Sequence, residues 1–139
     1  MSEPKALFIG RFCPPHKGHV WLIRRQLNKG IPCHILIRDT EEEIDAIWRE
    51  ALLSRIFEDE DVTTQIIPDI ESVNWGRTPG FRTITHEPPN DIKQISASDI
   101  RDALESNDDS WKDAIPQEIH DLLDRLCNSK YYGWSRHKI

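Results

Sequence analysis

Ten residues, Gly10-Arg11-Phe12-Cys13-Pro14-Pro15-His16-Lys17-Gly18-His19, restrict this 139-residue chain more than any other stretch. They follow the apolar run Ala6-Leu7-Phe8-Ile9 and precede Val20, Leu22, Ile23 and Leu27 at helical spacing. Glycine and proline punctuate the join, so the pattern predicts strand, tight turn, helix. Such a turn aims backbone N–H groups and the positive end of a helix dipole at whatever lies above the strand end, usually phosphate. His16 and His19 stand three apart, on one face of the first helical turn. An imidazolium is disfavoured at that end of a helix, so the pair makes sense where an anion comes to meet it.

The pattern repeats downstream. Residues 5–10 read as a first strand and 18–29 as a helix, which Gly30 and Pro32 stop. Residues 33–37 read as a second strand and 41–57 as a second helix, with Ile44, Ile47, Trp48, Leu52 and Ile56 at helical spacing. Residues 63–67 make a third strand, closed by Pro68, and 69–80 read as a loop holding at most a short element. Residues 81–86 alternate like a strand, Pro88-Pro89-Asn90 marks a loop, and Ile95 ends a further short strand. Helices at 97–106 and 116–127 follow, the second with proline in its first turn. Alternating strands and helices imply an α/β fold, an open parallel sheet with helices on both faces. Ligands of such sheets bind outside the carboxyl ends of the strands, where His16, His19, Arg38 and Asp39 fall. Neither a GxGxxG fingerprint nor a Walker A loop is present.

A chain of this length is one domain with a real core. The net charge of −6 argues against a nucleic-acid partner, which wants a basic face. No stretch nears the roughly 20 apolar residues of a membrane span, and no basic region with an apolar core opens the chain. Cys13, Cys33 and Cys127 are odd in number and without a disulfide spacing, as expected of a cytoplasmic protein. Cys13, His16 and His19 could offer a metal sulfur and nitrogen, but zinc wants a fourth ligand or an open position backed by carboxylates. No residue is assigned as a metal ligand.

A second motif, Ile95-Ser96-Ala97-Ser98-Asp99-Ile100-Arg101, opens the helix at 97–106. Ser96-x-x-Asp99 is a variant of the capping box, which accounts for the serine. It leaves Arg101 unexplained, because the helix dipole disfavours a cation in the first turns. A phosphate docked there removes the conflict: the guanidinium forks onto its oxygens, and Ser96 or Ser98 hydroxyls complete the cradle.

Together the two motifs resemble the HxGH and ISxTxxR signatures of the nucleotidylyltransferase superfamily, with Ser98 standing where the pattern commonly has threonine. The resemblance implies a Rossmann-like domain over residues 1–129 that transfers a nucleotidyl group with Mg²⁺ carried by a nucleoside triphosphate. It places His16 and His19 at the α-phosphate and Arg101 at the β- and γ-phosphates, as the catalytic groups. Gly10, Arg11, Phe12, Gly18, Ser96 and Ser98 become nucleotide-binding positions, Gly18 letting backbone approach phosphate closely. Arg11 reads equally as a structural ion pair.

The Gly-Arg-Phe opening, the Ile-Ser-Ala-Ser form and the Asn107-Asp108-Asp109-Ser110-Trp111…Ile115-Pro116 segment resemble archaeal-type nicotinamide-nucleotide adenylyltransferase more than a cytidylyltransferase. The implied reaction is AMP transfer from ATP to nicotinamide mononucleotide, a step of NAD biosynthesis. CTP-dependent transfer to a phosphorylated alcohol and a non-catalytic nucleotide sensor are the alternatives. That family's Asn-Pro-Phe and Gly-Asn-Pro segments are replaced here by Glu41-Glu42-Glu43 and Asn74-Trp75-Gly76-Arg77. For the phosphorylated acceptor, Arg38, Asp39, Trp75 and Arg77 are the candidates, with ordinary surface charge and a hydrophobic anchor as the plain readings. The tail at 130–139 carries Tyr131, Tyr132 and Trp134 among basic residues, a composition suited to folding back or to meeting a second subunit in a homo-oligomer.

Overall fold

The computed structural model describes residues 3–128, so the tail at 130–139 lies outside the described residues. Strand β1 (Ala6–Gly10), helix α1 (Lys17–Leu27), β2 (Cys33–Arg38), α2 (Ala46–Ile56) and β3 (Val62–Ile67) follow one another. The second half is helical: α3 (Asn90–Lys93), α4 (Ala97–Glu105), 3₁₀ turns at Asp109–Asp113 and Gln117–Ile119, and α5 (His120–Asn128). The strands form one parallel sheet in the order β1-β2-β3, with Phe8 opposite Ile35 and Ile35 opposite Thr64. This is an α/β architecture consistent with a Rossmann-like fold.

The two crossovers step the same way across the sheet, and right-handed connections then put both helices over one face. The Cys33 thiol donates to the Ile23 carbonyl of α1, and Thr64 of β3 donates to Glu50 of α2. Cys33, Ile35 and Ile37 share that face and are wholly buried with Ile23, Leu52, Leu53 and Ile44. Ile115, Ile119, Leu123 and Leu126 extend the same core into the helical half. The opposite face is more open: Leu7 is 59% and Ile9 47% exposed, and His34 bonds sideways to Thr63 and Gln65. Helices were expected on both faces, and among the described residues the covering of the sheet is therefore unequal.

Three local expectations change. Helix α2 begins at Ala46 and not at Glu41, because the carbonyls of Thr40 and Ile44 are held by the buried Arg49 side chain and the chain between them stays irregular. Residues 81–86 form no strand, and Phe81 (64% exposed) and Ile84 lie at the surface. Alternation alone does not make a strand without a partner edge or a core face. Behind Pro88-Pro89, where only loop was expected, α3 makes one helical turn, and Ile95 follows it outside any strand. The last helix starts as a 3₁₀ turn after Pro116 and becomes α-helical at His120. No helix among the described residues is long and apolar enough to cross a membrane.

Candidate active site

The turn after β1 is shaped by side chains that fill it from within. Phe12 has a left-handed backbone (φ 53°) and is buried, its ring meeting His19 edge-on at 4.8 Å. A Cβ on Gly10 would stand 3.1 Å from that ring, which explains the glycine by close packing. Gly18 has a similar reason: a Cβ there would lie 2.8 Å from the His16 ring. The glycine thus makes room for the histidine, a role separate from the backbone approach to phosphate expected of it.

His16 is the N-cap of α1. Its Nδ1 accepts from Gly18 N–H at 3.0 Å, while His19 Nδ1 accepts from His16 N–H at 3.1 Å, a reciprocal capping box built from imidazoles. A backbone N–H can only donate, so both Nδ1 atoms carry a lone pair and the ring protons sit on Nε2. The rings stack at 3.8 Å between centroids and 25° between planes. Burial pushes His16 down to about 4 and His19 down to about 3, the latter helped by His16 beside it. Both rings are therefore neutral near pH 7. Neither Nε2–H has a partner among the described residues, leaving two open donors at the positive end of a helix.

The second motif is brought to the first. Ser96 caps α4 through Asp99 N–H, and Ser98 stands exposed on its first turn. Arg101, from the same helix, donates through Nη1 to the Cys13 carbonyl at 2.7 Å and faces Glu43 at 3.5 Å. Arg11 is paired with Glu42 at 3.6 Å. The acidic segment after β2 therefore rests against both arginines. Oxygen of Glu42, oxygen of Glu43 and sulfur of Cys13 lie within 4.8 Å of one another. The two carboxylates are hard donors that suit Mg²⁺. Cys13 does not, since burial pushes its thiol up to about 11 and keeps it protonated.

The acceptor candidates divide. Arg38 ends β2 beside the site but is tied to Asp69 at 2.7 Å. Asp39, with Thr40, Glu41, Glu42, Asp45 and Ile47, lines an open cavity of about 520 Å³ at the carboxyl end of β2. Trp75 is 51% exposed and meets Phe81 edge-on at 6.3 Å. Neither it nor Arg77 makes a hydrogen bond, ion pair or ring contact with the histidines, so the structure does not join them to the motif turn.

One residue beneath the site went unread. Arg49 of α2 is wholly buried and donates to the carbonyls of Ile44 (2.8 Å), Arg11 (2.7 Å), Arg38 (3.0 Å) and Thr40 (2.8 Å). Its sequence signal was faint: it adjoins Trp48 on an apolar-rich helix, where a cation normally reads as solvent-facing.

No family model matches the chain. It is similar to the nicotinamide-nucleotide adenylyltransferase of Pyrobaculum arsenaticum, 24% identical over an alignment 157 positions long, gaps included, that covers 88% of each protein. Together with the α/β sheet, that likeness supports a nucleotidyltransferase in general.

Proposed function

We propose that this chain transfers AMP from ATP to nicotinamide mononucleotide, releasing pyrophosphate and forming NAD. The observation that carries the reading is the stacked neutral histidine pair, its two Nε2–H donors unpartnered at the N-terminus of α1. An oxygen of the acceptor phosphate attacks the α-phosphorus in line, and the bond to the bridging oxygen of the leaving pyrophosphate breaks. Negative charge grows on the non-bridging α-oxygens and on that pyrophosphate. His16 and His19 donate to the α-oxygens without giving up their protons, while Arg101 and Arg11 turn from Glu43 and Glu42 to the departing phosphates. No enzyme nucleophile is required. Mg²⁺ bound with the triphosphate supplies charge neutralisation, and Glu42 and Glu43 are the residues that would hold it.

Histidine-to-asparagine substitution separates catalysis from capping. Asparagine keeps an acceptor one bond beyond Cγ, where Nδ1 caps the helix, and deletes the Nε2–H. His16→Asn and His19→Asn should each stay folded and lose on the order of 10²–10³ in kcat, the usual cost of one transition-state donor. Wild-type turnover in both variants would sink the mechanism. Substrate identity is read from pyrophosphate release with ATP, CTP, GTP and UTP crossed against nicotinamide mononucleotide and phospho-alcohols. NAD formed in step with pyrophosphate supports the proposal. Release with CTP and an alcohol phosphate replaces the substrate, and ATP binding without release replaces catalysis by sensing.

A further inference from the structure

Arg49 is a cation that water does not reach and that no carboxylate pairs with among the described residues. Removing an unpaired guanidinium from water is costly, and carbonyl dipoles offset only part of that. A chain keeps such a group where its position or its charge is used. Here four of its five N–H groups are spent on main-chain oxygens of three segments: the turn after β1 (Arg11), the end of β2 with its exit (Arg38, Thr40), and the approach to α2 (Ile44). Two of these carbonyls belong to the residues that bear Arg11 and Arg38. The side chain thus bolts the two loops at the carboxyl end of the sheet to one planar fork.

We propose that Arg49 is the positioning residue of the phosphate site, holding the β1 and β2 exit loops in register so that Arg11 and the α1 turn meet the leaving pyrophosphate. The inference rests on the nucleotidyl-transfer reading above. It acts through Arg11 and the α1 turn and touches no substrate.

The test uses the full-length chain as wild type, Arg49→Lys and Arg49→Met. Three readouts are needed: circular dichroism with a thermal melt, calorimetric binding of inorganic pyrophosphate, and kcat with ATP and nicotinamide mononucleotide well below each melting temperature. Lysine keeps the charge and loses the fork. Arg49→Lys should fold, bind pyrophosphate within about tenfold of wild type, and lose about a hundredfold in kcat, the scale of an ångström-sized misplacement. Arg49→Met, which leaves all four carbonyls without their donor, should lose at least as much in kcat as Arg49→Lys. If methionine prevents folding, the kcat and pyrophosphate affinity of Arg49→Lys decide alone. A lowered melting temperature with unchanged kcat and pyrophosphate affinity in Arg49→Lys would reduce Arg49 to a structural residue and overturn the inference. Wild type that binds pyrophosphate without turnover overturns the reaction and leaves Arg49 judged by binding. Wild type that binds neither ATP nor pyrophosphate overturns both.

Discussion

Acid should undo this protein through two imidazoles. His16 and His19 cap α1 only as free bases, because protonation at Nδ1 replaces an acceptor by a donor aimed at a backbone N–H. Burial holds their folded values at about 4 and about 3, against an ordinary 6.5 in the unfolded chain. The unfolded chain therefore takes up protons first. The stability carried by the neutral rings is complete above pH 6.5 and drains away as pH falls from there toward the folded values. Each imidazole contributes a slope of about 1.4 kcal/mol per pH unit in that window. From about pH 7 to about pH 5 the pair should cost about 2–4 kcal/mol, after discounting for the partial exposure of both rings. That is a large part of the roughly 5–15 kcal/mol that holds a domain together. Urea denaturation followed by circular dichroism at both pH values measures it, with the His16→Asn/His19→Asn double variant as the reference. All other titrations are common to the two proteins and cancel in the difference. Wild type should lose about 1–2 M more in urea midpoint than the double variant. Equal losses in the two proteins would refute the reasoning.

Gly18→Ala should drive the His16 ring off its cap, costing about 1 kcal/mol by thermal melt and on the order of tenfold or more in ATP affinity by calorimetry. Arg101→Met should weaken pyrophosphate binding about tenfold to a hundredfold, since its charge-assisted bond to the Cys13 carbonyl also aims it. Iodoacetamide near pH 7 should leave Cys13 unmodified in the native protein and label it after denaturation, read by mass spectrometry, because the thiol is buried and pushed up to about 11. Glu60→Gln, which breaks a bidentate but exposed pair with Arg24, should cost under about 1 kcal/mol in urea denaturation and less still in high salt.

The motif turn was legible because its residues act locally. Glycine, proline and histidine within ten positions shape strand, turn and cap among themselves, so a linear reading captures them. The three parallel strands were legible for the same reason: each is a short apolar run between breakers. Residues 81–86 were misread because alternation reports a tendency to pair, and pairing needs a neighbour that the sequence does not point to. Arg49 was invisible because its partners are carbonyls at 5, 9, 11 and 38 residues' distance, and a carbonyl has no letter. The imidazole tautomers were equally hidden, being set by which backbone N–H each ring meets. The acidic segment Glu41-Glu42-Glu43 was seen as a departure from the resembled family, and its pairing with Arg11 and Arg101 became apparent only in space.

The bond from Arg101 to the Cys13 carbonyl spans 88 residues. During synthesis, the first motif therefore waits for most of the chain to emerge before its counterpart can arrive, and closing so wide a loop is entropically slow. A phosphate ligand gripping both motifs would report on the finished fold alone, and its free energy of binding would add to the stability of the whole domain at once.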